Sequence, residues 1–119
     1  MNENNGKVNW KHAFETVDQD EELLRIIIDA SLIETKDKMQ QLETAILAEN
    51  HDETRRLAHS ISATGRTFGI PSLDDFTKQI QEFAIEGNSE SIRKLLPEIK
   101  VEIEQIASEF RTWMKDHPE

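Results

Sequence analysis

Apolar residues recur along most of this 119-residue chain at intervals of three and four, which is the spacing of one face of an α-helix. The alternation of polar and apolar residues that marks a half-buried strand is missing. The pattern therefore predicts an all-α protein. The predicted helices cover residues 9–17, 18–49, 53–68, 72–86 and about 89–114.

Polar residues and glycines mark the predicted helix ends. They are Asp18 with Glu21 as a capping box, Asn50, Asp52, Ser72, Gly87, and Asn88 or Ser89. Two alternatives stay open. The second helix is either continuous or bent near residues 35–37, and the last helix either kinks at Pro97 or restarts there.

Short connections between long amphipathic helices favour antiparallel neighbours. We therefore expect residues 9–115 to form an antiparallel up-down four-helix bundle. A short extra N-terminal helix should cover one end of it with Trp10 and Phe14. Residues 1–8 are mostly polar and lack a period, so they are predicted to be a flexible leader.

Charge and composition narrow the function classes. The chain has 24 acidic residues against 14 Lys and Arg, a net charge of −10, which argues against general binding to nucleic acid or anionic membranes. It has no cysteine, no basic start followed by an apolar segment, and no apolar run of membrane-spanning length. A cytoplasmic, monomeric protein is expected.

The third predicted helix carries the residues with the most distinctive chemistry. Its apolar or small residues fall on one side: Leu57, Ala58, Ile61, Thr64, Gly65 and Phe68. His59 falls almost opposite, so its imidazole should face solvent. The residues predicted to lie near it are Asp52, Arg55, Ser62 and Arg66, with the small Ala63 at the next turn. Arg55, Arg56 and Arg66 should form a positive patch suited to a phosphoryl group or an acidic partner.

The other three histidines are His12, His51 and His117. None shares a helix face with further ligands at metal-binding spacing, so no metal site and no cofactor are expected.

Residues 58–69 resemble the phosphorylation motif of histidine-containing phosphotransfer (HPt) domains, roughly Ala-His-x-Leu-Lys-Gly-Ser/Ala with a later glycine. The matching residues are Ala58, His59, Ile61, Thr64 and Gly69. Ser62 replaces the family lysine and Ala63 the family glycine. In helix order and spacing the resemblance extends from Trp10 to Phe110.

The resemblance implies a function in a multistep two-component phosphorelay. His59 would accept a phosphoryl group from the aspartate of a receiver domain and pass it to another receiver, which would also supply the magnesium ion. Such a domain is a covalent carrier and not an enzyme. The receiver would belong to a response regulator or a hybrid histidine kinase.

Further residues acquire roles from the same resemblance. Gln81, 22 positions after the histidine, matches a glutamine close to the imidazole in related domains, although an ordinary boundary glutamine is the alternative. Arg66 or Arg55 could replace the missing lysine, or both could be plain surface charges. Two other functions also stay open: a degenerate bundle that binds a receiver without accepting phosphate, and an acidic helical adaptor unrelated to phosphorelays.

Overall fold

The computed structural model describes residues 6–118, and it confirms the all-α prediction. Its five helices are α1 (Trp10–Thr16), α2 (Glu21–Leu47), α3 (His51–Phe68), α4 (Pro71–Glu86) and α5 (Ser89–Asp116). No strand occurs within residues 6–118. The 28 residues of α5 span about 42 Å at 1.5 Å per residue, which accounts for the 44 Å long dimension.

Four long helices form the bundle. α3 packs against α2 and α4, and α5 packs against the same two helices. The connections are short, as the predicted up-down order requires. The inward faces of the four long helices meet in a core. Its largest fully buried side chains include Phe68, Phe110, Leu24, Ile28, Leu42, Leu57, Ile61, Ile70, Leu73, Ile80, Ile92 and Ile99.

The short helix α1 covers one end of this core, as predicted. The Trp10 ring stacks on Trp113 with centroids 5.6 Å apart, and Phe14 meets the same indole edge-on. Phe68 and Phe110 lie beneath them with ring centroids 4.6 Å apart. These aromatic contacts join α1 to the end of α5, and the end of α5 to the end of α3.

The N-cap of the second helix lies two residues after the predicted one, Asp18. Asp20 is its N-cap and accepts a hydrogen bond from the Leu23 backbone N–H. Asp18 cannot serve as the cap, because Asp18 and Gln19 both take positive φ in a tight turn after α1. From Glu21 the helix runs unbroken to Leu47, so the continuous alternative holds.

The third helix begins one residue before the predicted cap. Asn50 was expected to end the second helix, but it has extended backbone and its side chain accepts from the Glu53 N–H. Glu49 supplies the positive φ between the two helices instead. Asp52 therefore lies inside the first turn, where its charge favours the helix N-terminus.

The ends of α4 and the path of α5 depend on proline. Pro71 occupies the first turn of α4, where its missing N–H has no helical partner to lose. Ser72 is therefore not a cap, and Gly87 ends the helix at positive φ as predicted. Pro97 lies inside α5, which continues through it.

Residues 7 and 8 belong to the packed structure, which corrects the predicted leader at these positions. Val8 is 1% exposed. The backbone N–H groups of Lys7 and Val8 donate to the Glu109 carboxylate at 2.6 and 3.0 Å. The Lys7 ammonium lies 2.8 Å from Glu102, a buried carboxylate that also accepts from Ser72. Residues 1–5 of the predicted leader lie outside the described residues.

Candidate functional site

The last turn of α3 is capped by α1. The backbone N–H of Asn9 donates to the Phe68 carbonyl at 2.9 Å, and the His12 ring donates from Nε2 to the Arg66 carbonyl at 2.9 Å. Thr16 donates to the carbonyl of Thr67. Carbonyls that a helix end leaves without helical partners are thus satisfied by a neighbouring helix.

Gly69, the later glycine of the motif, makes this capping possible. Its φ is +59°, a left-handed conformation that side chains disfavour. A Cβ atom at this position would also lie 2.9 Å from the Asn9 Cβ and 3.2 Å from the His12 Cβ. The glycine therefore ends α3 and lets α1 approach.

The predicted faces of α3 are confirmed for most residues. The buried side chains lie on one side: Thr54, Leu57, Ala58, Ile61, Ser62, Gly65 and Phe68. His59 is exposed on the opposite side, and Arg55, Ala63 and Arg66 are also exposed. The imidazole makes no hydrogen bond to another residue within 6–118, so in this structure it faces solvent.

Ser62 corrects the prediction that it lies on the outer face. It is only 6% exposed, and it lies one turn from both the buried Ala58 and Gly65, the residue that lies against Asp74 of α4. Its hydroxyl donates to the His59 carbonyl at 2.5 Å and accepts from Arg66 Nη1 at 3.0 Å. Ser62 therefore holds a guanidinium beside the turn that carries His59.

One of the three arginines predicted to form a positive patch is engaged in an ion pair. Arg56 pairs with Glu53 on its own helix, and the hydrogen bond from the guanidinium lowers the pKa of the Glu53 carboxyl below its ordinary value. Arg55 and Arg66 have no carboxylate within 4.0 Å among residues 6–118. Their positive charges therefore remain available on the His59 side.

The neighbouring helix α4 runs antiparallel to α3, because its first turn lies against the end of α3 and the residue after its last turn lies near the start of α3. Gln81 is half-buried on α4, and its amide donates to the Thr77 carbonyl at 3.2 Å. Lys78, which sequence reasoning did not single out, is exposed one turn before Gln81. Its three-residue spacing from Gln81 was the available signal, since residues three apart share a helix face.

The other histidines make contacts elsewhere. His12 binds the Arg66 carbonyl, His51 hydrogen-bonds to Ser89 at 2.8 Å, and His117 stacks on Trp113. Across the described part of the chain, no three His, Cys, Asp or Glu residues are grouped to hold a metal ion. Nor does any helix between residues 6 and 118 have the length and apolar character to cross a membrane.

A family model described as the Hpt domain matches residues 26–109, which is more than half of the chain and includes α3 and α4 complete. No curated protein and no solved structure matches.

Proposed function

The chain belongs to the Hpt domain family, the phosphocarrier modules of phosphorelays, and from this we propose that His59 is the residue that carries the phosphoryl group. The donor is a receiver domain with a phosphorylated aspartate, and the acceptor is a second receiver. The observation that carries the proposal is the exposed mid-helix imidazole of His59, flanked by two unpaired guanidinium groups.

The chemistry requires little from the bundle. Nε2 of the neutral imidazole attacks the phosphorus, the new N–P bond forms as the P–O bond to the aspartate breaks, and the receiver's carboxylate leaves. Nδ1 keeps its proton throughout. The neutral ring presents the Nε2 lone pair directly, so the attack needs no general base. Catalysis then rests on positioning the nucleophile and balancing the phosphate charge.

The small neighbours of His59 favour close approach of a partner. Ala63, one turn after the histidine, is exposed and presents only a methyl group. Ser62, which replaces the family lysine, is buried and holds Arg66 Nη1 at 3.0 Å. We infer that the Arg66 guanidinium takes over the charge of that lysine, with Arg55 one turn before His59 as a second cation. A guanidinium suits this role because it stays charged and can donate two parallel hydrogen bonds.

The direct test is labelling by a phosphorylated receiver. The full chain should acquire one phosphoryl group, in an acid-labile and base-stable linkage, as expected of phosphohistidine. Stable binding of the receiver without any label would instead support the second candidate, a bundle that binds and does not accept phosphate. The loss of the motif lysine is the observation that favours this candidate.

Removing either unpaired arginine should slow the transfer. We expect Arg66→Ala to lower the rate several-fold and Arg55→Ala to lower it less, because only Arg66 is anchored at the His59 turn. Rapid-quench transfer measured at two salt concentrations should show a smaller effect at high salt, where exposed charges are screened. Arg111→Ala, which removes an equal charge from α5, is the matched control. Unchanged rates in both arginine variants at low salt would contradict compensation.

Restoring the family residue completes this test. Ser62→Lys in the Arg66→Ala background should recover part of the lost rate, because a lysine can extend its stem along the helix edge and present its ammonium to solvent. In the native chain, Ser62→Ala should lower the transfer rate, because it removes the hydroxyl that holds Arg66.

A further inference from the structure

Two contacts fix how α3 and α4 lie beside each other. The Asp74 carboxylate lies close to Gly65. A Cβ atom added to Gly65 would be 2.7 Å from Oδ1 of Asp74. At the other end of the pair, a Cβ atom at Gly87 would be 3.9 Å from the His51 ring. Between these points the helices are antiparallel and each advances 1.5 Å per residue. His59 is therefore level with about residues 79–80, and Lys78 lies about one to two residues, or about 1.5–3 Å, from that level.

The side of α4 that faces α3 is also known. Asp74 reaches Gly65, so its edge of α4 borders α3. Lys78 and Gln81 follow Asp74 by four and seven residues, and residues at these intervals share a helix face. Lys78 is exposed and Gln81 half-buried, which puts the lysine on the outer part of this edge.

His59 lies on the face of α3 that continues the border with α4. On α3, Ser62 and Arg66 follow it by three and seven residues and so share that face. Gly65, next to Arg66, lies against Asp74 of α4. Packed helices have axes about 8–10 Å apart. A lysine ammonium, at the end of a four-carbon stem, can cross this distance to a group bound to the neighbouring helix.

Within residues 6–118, no carboxylate lies within 4.0 Å of the Lys78 ammonium. In this part of the chain, eight of the 14 Lys and Arg residues do have such a partner. Within residues 6–118 the side chains without such a partner are Lys11, Lys36, Arg55, Arg66, Lys78 and Lys115. Three of these six, Arg55, Arg66 and Lys78, lie on the faces of α3 and α4 that adjoin His59. In a chain with 24 acidic residues, this grouping places three cations around His59, with the Asp74 carboxylate one turn before Lys78 on the same edge of α4.

We propose that the Lys78 ammonium contacts the phosphoryl group on His59, so that α4 adds a cation to the one that Arg66 provides on α3. The proposal rests on the proposed function and adds a residue to its site. It makes no new covalent step, because Lys78 donates hydrogen bonds to phosphoryl oxygens while His59 Nε2 holds the phosphorus. Gln81, on the same edge, lies beside this contact.

The test uses a donor too small to dock. Phosphoramidate should label the native chain at His59, and Lys78→Ala should lower the labelling rate roughly three- to tenfold, as expected for one exposed charge-assisted hydrogen bond. Lys78→Arg should restore most of the rate. Lys36→Ala removes the same charge from an exposed, unpaired position on α2 and should leave the rate unchanged. Circular dichroism should show equal helicity in all four proteins.

Each other result has a definite meaning. Equal rates for Lys78→Ala and Lys36→Ala with phosphoramidate would overturn the contact. An effect seen only with a phosphorylated receiver would also overturn it, because Lys78 would then touch the partner and not the phosphoryl group. A native chain that neither donor labels would overturn the proposed function itself, whereas a labelled native chain insensitive to Lys78 would leave that function standing.

Discussion

Replacing His59 by glutamine is expected to abolish phosphoryl transfer to the chain while leaving the bundle folded. Glutamine has no nucleophilic nitrogen, and the position is exposed, so the substitution should change stability by no more than about 0.5 kcal/mol. The measurement is incorporation of label from a phosphorylated receiver, with helicity followed by circular dichroism.

A second histidine on the same helix provides the control. His51→Gln alters the first turn of α3, where the ring bonds to Ser89, and should leave labelling intact. Label that survives His59→Gln would move the phosphorylated residue elsewhere and remove the basis of the proposed site.

Truncating buried side chains of the same helix should have the opposite effect. It should greatly lower the free energy of unfolding and change phosphoryl transfer only indirectly. Phe68 is 0% exposed and Ile61 is 1% exposed. Phe68→Ala should destabilise the protein by roughly 3–5 kcal/mol and Ile61→Ala by roughly 2–5, because each loses buried surface and leaves a cavity. Urea denaturation gives both values.

The matched comparison is His59→Ala, on the opposite side of α3. Its expected cost is under about 0.5 kcal/mol. Comparable losses for His59→Ala and Ile61→Ala would show that the two faces of α3 are inverted.

The helical period was enough to predict the fold and the exposure of His59. Residues such as Leu57, Ile61 and Phe68 repeat strongly, and burial of one face then exposes the other. Cap positions were less predictable, because Asn50 and Asp52 are both good N-caps and the backbone at Glu49 decides between them.

The helical period of one helix does not predict features that depend on how neighbouring helices pack against it. Ser62 lies at the border of the buried face, where the helical period alone does not decide between burial and exposure, and it is 6% exposed. Val8 was predicted to belong to a flexible leader, but it is buried in the core. Lys78 joins the site only because α4 is antiparallel to α3 at a particular register.

The hydrogen bonds from α1 to the last carbonyls of α3 have a consequence for local unfolding. A helix end normally frays at little free-energy cost, but here opening the last turn of α3 also requires breaking contacts with Asn9, His12 and Thr16. Docking of α1 and order at Arg66 are thus parts of one cooperative unit. A change confined to α1, about 50 residues away in sequence, would therefore loosen the cation beside His59 before the rest of the bundle opened.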